Sequence, residues 1–360
     1  MRGALLHNTG DETHEIADDL EVPDPGPGQV KIQIEATGVC HSDLHAMTGS
    51  LPQPAPVVLG HEGAGIITAV GEGVTNVAEG DHVIVAWSPP CGHCTMCVDH
   101  KSPHLCVMLQ FEWAIQQKFQ RGDTGVFGMA GSGTWARETI MPWQGAIKID
   151  DDIPFPVASL VGCAVMTGVG AAINTAKVTP GSSVVVFGCG GVGISVIQGA
   201  RIAGAATIVA VDMVDSKLET AKTFGATHAV KPEGLEDLKG ELTAGDGFDY
   251  AFEAIGLPAT MRASFDAVRR GGKAVVVGVG KMDQMVEFNA FEIFFAEKVF
   301  MGSYYGSTDV RSDFHRLLRL YRAGKLDLEG MITAEMDISE VNEALTAMKS
   351  GEVVRQVLTF

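Results

Sequence analysis

The segment VVVFGCGGVG (184–193) narrows the possible folds more than any other part of the chain. A continuous apolar strand runs into Gly188-x-Gly190-x-x-Gly193, with Gly191 and Val192 completing the turn, and a helix follows. Glycines at these three places allow a tight turn, close approach of backbone to a pyrophosphate, and packing of helix on strand. The N–H groups freed at the helix start then face the phosphate charge. The next strand, TIVAVD, ends at Asp212, 24 residues after Gly188. A carboxylate there accepts hydrogen bonds from both ribose hydroxyls and repels a 2′-phosphate, which selects NAD over NADP. The competing reading is a glycine-rich turn followed by an Asp helix cap. Lys217, five residues on, is within reach of the same ribose, or is a solvated helix lysine.

From about residue 165 to 300 the pattern repeats: apolar strands SVVVFG, TIVAVD, HAV, DYAFEAIG and KAVVVGVG alternate with helical stretches near 191, 215–225 and 259–270. Such alternation predicts a parallel sheet covered on both faces. The preceding zone reads instead as short strands and Gly/Pro turns, for example QVKIQIEATGV (29–39) and GAGIITAVG (63–71). The tail holds an amphipathic helix (DFHRLLRLYRAGKL), a helix over 339–350 and a final strand, VVRQVLTF. A 360-residue chain exceeds one typical domain. The expected organisation is a doubly wound α/β domain (165–304) inserted into a mainly β domain (1–164 and 305–360).

Lys plus Arg number 26 against 44 Asp plus Glu, a formal charge of -18. So acidic a chain repels phosphate backbones, which argues against nucleic acid and anionic membranes as partners. No stretch is expected to supply the roughly 20 apolar residues of a membrane span. The start, MRGALLHNTGDETHEIADD, lacks the order of a signal peptide, so the expected location is the cytoplasm. In a reducing compartment, clustered cysteines point to metal.

Four of the seven cysteines fall within 16 residues: Cys91-GH-Cys94-TM-Cys97-VDHKSPHL-Cys106. Two-residue gaps let successive sulfurs converge on one tetrahedral centre, and four soft anionic ligands describe a closed structural zinc site. An iron–sulfur cluster is the minor competitor, and His93, His100 and His104 lie nearby. Three further signals are weaker singly: Gly38-Val-Cys40-His41-Ser42-Asp43-Leu-His45, Gly60-His61-Glu62-Gly63-x-Gly65, and Gly162-Cys163-x-x-Met-Thr167-Gly168. Each cysteine alone reads equally as a small buried hydrophobe.

Together these motifs resemble the zinc-containing medium-chain dehydrogenases, specifically the alcohol dehydrogenase branch with two zincs per subunit. The likeness covers essentially the whole chain, and the GHE-x-x-G-x(5)-G-x-x-V signature fits Gly60, His61, Glu62, Gly65, Gly71 and Val74. The resemblance implies a Rossmann domain inserted into a GroES-like catalytic domain. It implies a catalytic zinc on Cys40, His61 and Cys163 with an open fourth position, and hydride exchange between an alcohol and NAD. It also implies a proton relay from Ser42 to His45, with Asp43 orienting His61 and Glu62 behind the metal or paired with Arg355. In the family that arginine also reaches the cofactor phosphates. Thr167 and Val192 would flank the nicotinamide. His41 is a departure, because many relatives carry arginine there; histidine should hold the pyrophosphate less tightly at high pH.

By the same resemblance Trp87, Leu51, Val279 and Tyr304 would line the substrate and cofactor pocket, with segment 107–135 as one wall. The aromatic residues favour a primary or aromatic alcohol. Two alternatives share the motifs: a thiol-adduct formaldehyde dehydrogenase, and a nicotinoprotein that keeps its NAD and uses an external acceptor. A non-catalytic relative is disfavoured by the complete motif set. The family forms homodimers and homotetramers, and KAVVVGVG or its neighbour is a candidate strand for pairing across subunits.

Overall fold

The computed structural model describes residues 1–351 and 353–360. They form two compact units: Met1–Cys163 with Asp309–Arg322 and Leu328–Phe360, and Ala164–Thr308 with Ala323–Asp327.

The second unit is built on six parallel strands. In spatial order they are His228–Val230, Thr207–Val211, Ser183–Phe187, Phe248–Glu253, Val268–Val276 and Val299–Gly302. The first strand in the chain sits inside the sheet and the order reverses beside it, the 3-2-1-4-5-6 pattern of a doubly wound nucleotide fold. Helices Gly191–Ile202, Asp215–Thr223, Leu235–Thr243 and Pro258–Ala267 lie in its connections. The valine-rich strands are buried because both faces pack, with Val185, Val209, Phe248 and Phe265 in one core cluster. Sequence patterning overlooks helix Leu235–Thr243, a short helix whose apolar stripe is only Leu235, Leu238 and Leu242, the last two partly buried against the core. It also overlooks helix Ala290–Ala296 and the sixth strand. That strand distinguishes the two pairing candidates: KAVVVGVG is covered by its neighbour Val299–Gly302, which forms one edge of the sheet. Residues Ala323–Asp327 join this unit because the Gln198 side chain bonds both the N–H and the carbonyl of Asp327, at 2.8 and 3.0 Å.

The first unit holds a five-stranded sheet and a seven-stranded sheet. Strand Gln29–Gly38 organises the larger one, pairing with Gly63–Val70, Glu138–Pro142 and Arg355–Thr359. Its residues alternate between buried and half-buried, the period-two signature visible in the sequence. The pairing Val357↔Gly38 brings the end of the chain against the strand that leads to Cys40. Segment 107–135 divides in two. It forms helix Met108–Ala114 and the hairpin Gln117–Arg121/Thr124–Gly128; Phe119, Val126, Met129 and Trp135 are core, whereas Val107, Met108, Phe111 and Ile115 are exposed. The apolar character of the later part serves packing.

One expectation fails outright. Helix Phe155–Ala176 is 22 residues long, and its most apolar stretch, at mean hydropathy 1.8, matches a membrane span in length and composition. Of that stretch 83% is buried inside the protein, so its apolarity reflects a core helix.

His14 is buried against the edge of Trp135 at 5.3 Å, and its backbone N–H and carbonyl are bonded by the Asn342 side chain. Neither ring nitrogen has a hydrogen-bond partner, and burial pushes its pKa down to about 4. The folded state therefore holds this ring neutral, while the unfolded chain takes up a proton near 6.5. Stability contributed by the neutral ring is complete above pH 6.5 and is lost as pH falls towards 4. The loss, about 3 kcal/mol in all, should be largely absent in His14→Phe, as urea titrations at pH 4.5 and 7.5 will measure.

Candidate metal centres and dinucleotide loop

Four side chains of the first unit, Cys40, His61, Glu62 and Cys163, bring one ligand atom each to within 4.8 Å of one another. They arrive from three separate pieces of chain. Cys40 follows strand Gln29–Gly38 as the N-cap of the short helix His41–Met47. His61 follows Gly60, whose φ of +85° favours glycine. A β-carbon at Gly60 would also lie 2.3 Å from Cδ1 of Trp135. Cys163 sits in a π-helical turn, Val161–Val165, within the core helix. Such turns occur frequently at functional sites.

Asp43 ties two of these pieces together. Its Oδ2 accepts the Cys40 N–H at 2.9 Å, while Oδ1 accepts from the Gly60 N–H at 3.0 Å and faces His61 Nδ1 at 3.1 Å. The sequence resemblance implied the contact to His61; the two backbone bonds went unanticipated. With Nδ1 so engaged, the buried Nε2 of His61 has no hydrogen-bond partner. Burial opposes charge on the ring, but Asp43 and Cys40 outweigh it and hold the pKa well above the ordinary value. The Cys163 thiol, then Arg355 and His61, favour a Cys40 thiolate and push its pKa well down, whereas the adjacent Cys40 and burial push Cys163 well up. Two sulfurs and an unpartnered imidazole nitrogen form a donor set that fits zinc.

Glu62 is fully buried, and its Oε1 takes a 2.5 Å bond from Arg355 Nη2. Its Oε2 has no partner and lies against Gly38, where a β-carbon would approach to 2.1 Å. Burial raises Glu62 to about 8 even with Arg355 alongside. Arg355 also donates through Nη1 to the Val39 carbonyl at 2.8 Å and is 4% exposed. Each of these terminal nitrogens carries a second N–H, and the buried Nε has no hydrogen-bond partner, so the pair with Glu62 does not exhaust the donors of this arginine.

Ser42 and His45 lie three residues apart on helix His41–Met47, the spacing that puts two side chains on one face. Ser42 Oγ is 3.7 Å from the buried Cys40 Sγ, and Ser42 and His45 are half-buried. His41 is exposed at the first position of the helix. The Trp87 ring stands edge-on to His61 with centroids 6.3 Å apart, which puts an aromatic surface beside the metal ligands. Leu51 is half-buried and packs against the core cluster that includes Ala46 and Met47.

The second cluster is Cys91, Cys94, Cys97 and Cys106, whose sulfurs also lie within 4.8 Å of one another. Individual Sγ separations are 3.6 Å for Cys94–Cys97, 3.7 Å for Cys94–Cys106 and 4.0 Å for Cys91–Cys97. Backbone N–H groups of Cys94 and Cys91 point at Cys91 Sγ and Cys106 Sγ, each at 3.3 Å, as suits thiolates. The nearby His93 is occupied with the Cys91 carbonyl. Four thiolates close a tetrahedron with no open position.

In the second unit, Gly188 has φ +91°, and a β-carbon on Gly193 would lie 1.8 Å from the Gly188 carbonyl. Gly190 faces open space, and as N-cap of helix Gly191–Ile202 it leaves the first N–H groups without a side-chain cap. The three glycines thus serve the turn, the close packing and an open anion cradle. Asp212 accepts from the N–H of Cys189 at 2.8 Å and from that of Val214 at 3.0 Å. It is half-buried, as are Lys217 and Val192. Thr167 is half-buried on helix Met166–Gly170, while Val279 and Tyr304 are 47% and 41% exposed.

These two metal-ligand clusters and a doubly wound sheet define a zinc-binding dehydrogenase. Residues 26–151 match the family model of the alcohol dehydrogenase GroES-like domain, and residues 191–323 that of the zinc-binding dehydrogenases. The chain is 38% identical to the class-3 alcohol dehydrogenase of Drosophila melanogaster, over 96% of this chain and 94% of that one. It is 34% identical to the S-(hydroxymethyl)glutathione dehydrogenase of Paracoccus denitrificans, over 95% of each. Among solved structures, a zinc-binding-domain alcohol dehydrogenase from Burkholderia ambifaria superposes with TM-score 0.93 at 32% identity, covering 100% of this chain and 98% of that one. The benzyl alcohol dehydrogenase of Acinetobacter calcoaceticus gives 0.92 at 31%, covering 100% and 99%. The chain belongs to the zinc-dependent medium-chain alcohol dehydrogenase family.

Proposed function

We propose that the chain interconverts a primary or aromatic alcohol and its aldehyde with NAD, at a zinc site made by Cys40, His61 and Cys163. The observation that carries this reading is the convergence of two sulfurs on the unpartnered Nε2 of a buried histidine. When bound there, zinc supplies Lewis acidity towards the substrate oxygen, and the dinucleotide exchanges the hydride. The protein does the rest. Asp43 fixes the His61 ring and the Cys40 backbone, so the donors meet the metal preorganised. Ser42 takes the proton released from substrate and passes it outward to His45. Glu62, held by Arg355, keeps its carboxyl group behind the metal. Cys91, Cys94, Cys97 and Cys106 hold a second, structural zinc. The dinucleotide lies over Gly188, Gly190, Gly191 and Gly193, with Thr167, Val192, Val279 and Lys217 as further contacts. Trp87 and Tyr304 are the aromatic faces for substrate, and the benzyl alcohol dehydrogenase among the similar structures supports an aromatic preference.

Asp212 selects NAD through its carboxylate. Asp212→Ala is expected to lower kcat/KM with NAD about 100-fold, the loss of hydrogen bonds to a charged group, and to raise relative use of NADP. An unchanged NAD/NADP ratio would remove Asp212 from that role.

The name of the Paracoccus relative supports a second reading, in which the alcohol is a thiol adduct of formaldehyde. Metal analysis together with reduction of NAD and NADP over an alcohol panel, with and without low-molecular-weight thiols, separates the two. About two zincs per chain and activity without thiol support the first reading, and activity on formaldehyde only with thiol supports the second. NAD that co-purifies and does not exchange would indicate the nicotinoprotein form. Seven free cysteines suit a reducing cytoplasm. The open outer side of strand Val299–Gly302, with Val299 41% and Phe300 37% exposed, favours a homo-oligomer in which two copies pair these edges.

A further inference from the structure

Lys118 is 3% exposed, and none of its contacts among the described residues is a carboxylate. Its ammonium donates to the carbonyls of Gly131 and Ile140, the latter at 2.6 Å, and lies 5.1 Å from the centre of the Trp113 ring. Burial alone pushes its pKa down to about 7. Burying an ammonium without a counter-charge is expensive, and a methionine of similar length would fill the same space without that cost. Such a group needs a reason to be there.

The two carbonyls it joins bracket the segment that supports His61. Between Gly131 and Ile140 the chain runs along Leu59 and Gly60: Thr134 N–H donates to the Gly60 carbonyl and Trp135 N–H to that of Leu59, each at 3.0 Å. Ser132 Oγ donates to the Gly60 carbonyl at 3.3 Å and to that of Met129 at 2.8 Å, and Thr139 Oγ donates to the Ser132 carbonyl. Thr134 Oγ1 meets Thr37 Oγ1 at 2.7 Å, and Trp135 Nε1 donates to the Gly38 carbonyl at 3.4 Å. Gly60 is the residue whose N–H bonds Asp43 and whose left-handed backbone turns His61 inward. Ala130, which leads into the segment, is a non-glycine residue at positive φ, and Gly131 and Gly133 provide two further left-handed positions whose freedom must be lost on folding. It needs a clamp at its ends.

We propose that Lys118 is a positioning residue for the metal site, clamping residues 131–140 so that they hold Gly60, and with it His61, in place. This rests on the reading of Cys40, His61 and Cys163 as zinc ligands. Lys118→Met should fold with a thermal midpoint at or above that of the parent, because the burial cost is gone. It should release one of its two zincs to a chelator about tenfold more readily, as loss of an outer-shell support does, and keep the four-cysteine zinc as an internal reference. Cobalt substituted at the released site should show altered visible bands, a change that lost packing alone does not produce. Retention of both zincs at the parent's affinity with unaltered bands overturns the proposal. Should Lys118→Met fail to fold, Lys118→Leu, which equally removes the bonds to the Gly131 and Ile140 carbonyls, decides in the same assay: selective weakening of one zinc supports the clamp, and unchanged binding overturns it. A parent protein with only one zinc per chain overturns the metal reading and the clamp together.

Discussion

Cys163→Ala should bind close to one zinc per chain instead of two and lose at least a thousandfold in kcat/KM for alcohol oxidation. A thousandfold corresponds to about 4 kcal/mol of transition-state stabilisation, which matches the several kcal/mol that a Lewis acid contributes at a developing charge. The remaining Cys40 and His61 would offer two donors where three are needed for a site with one open position. The fold should survive, since alanine is a good helix former and the helix around residue 163 is held by its apolar neighbours. Metal analysis, circular dichroism and steady-state kinetics on the same preparation test this. Two zincs and undiminished activity in the variant would remove Cys163 from the site.

How far the site was readable depends on the range of the interaction. The dinucleotide loop was legible because its chemistry is local: a turn, a close backbone approach and a helix start all fall within Gly188–x–Gly193, and Asp212 ends the adjacent strand. The four-cysteine cluster was legible for the same reason. The donors proposed for the catalytic zinc were not, taken singly, because Cys40, His61 and Cys163 are brought together only by tertiary structure, and family resemblance had to join them. What supports them was invisible to patterning. Nothing in the sequence tells that Trp135 and Thr134 bond Leu59 and Gly60, or that Gly38 leaves room for Glu62 Oε2. Apolar content is the ambiguous signal. In segment 107–135 Phe119 and Trp135 are core while Phe111 is exposed, and the helix Phe155–Ala176 is an apolar stretch of span length that lies buried in the protein. Burial in a protein core and contact with a ligand or lipid select the same side chains.

Cys106→Ser is expected to act on stability rather than chemistry. The lobe from Cys91 to Cys106 contains only the short helix Thr95–Val98 and the turn Pro103–Leu105, and its side chains Met96, Val98 and Leu105 are exposed. With so little apolar burial of its own, it relies on the metal for its shape. Cys106 is the ligand that returns from the eight-residue loop, is itself 1% exposed, and accepts the Cys91 N–H. Replacing it opens the tetrahedron and leaves buried thiolates without their cation, a loss we expect to cost at least about 3 kcal/mol. That should appear as a fall of roughly 6–12 °C in the melting midpoint if the loss is felt by a unit of 150–250 residues. The variant should keep one zinc, that of Cys40, His61 and Cys163, and in the cold its kcat should stay within a few-fold of the parent. A midpoint equal to the parent's would mean that the lobe folds without metal. Loss of kcat at low temperature, with the remaining zinc intact, would show that the lobe takes part in the chemistry.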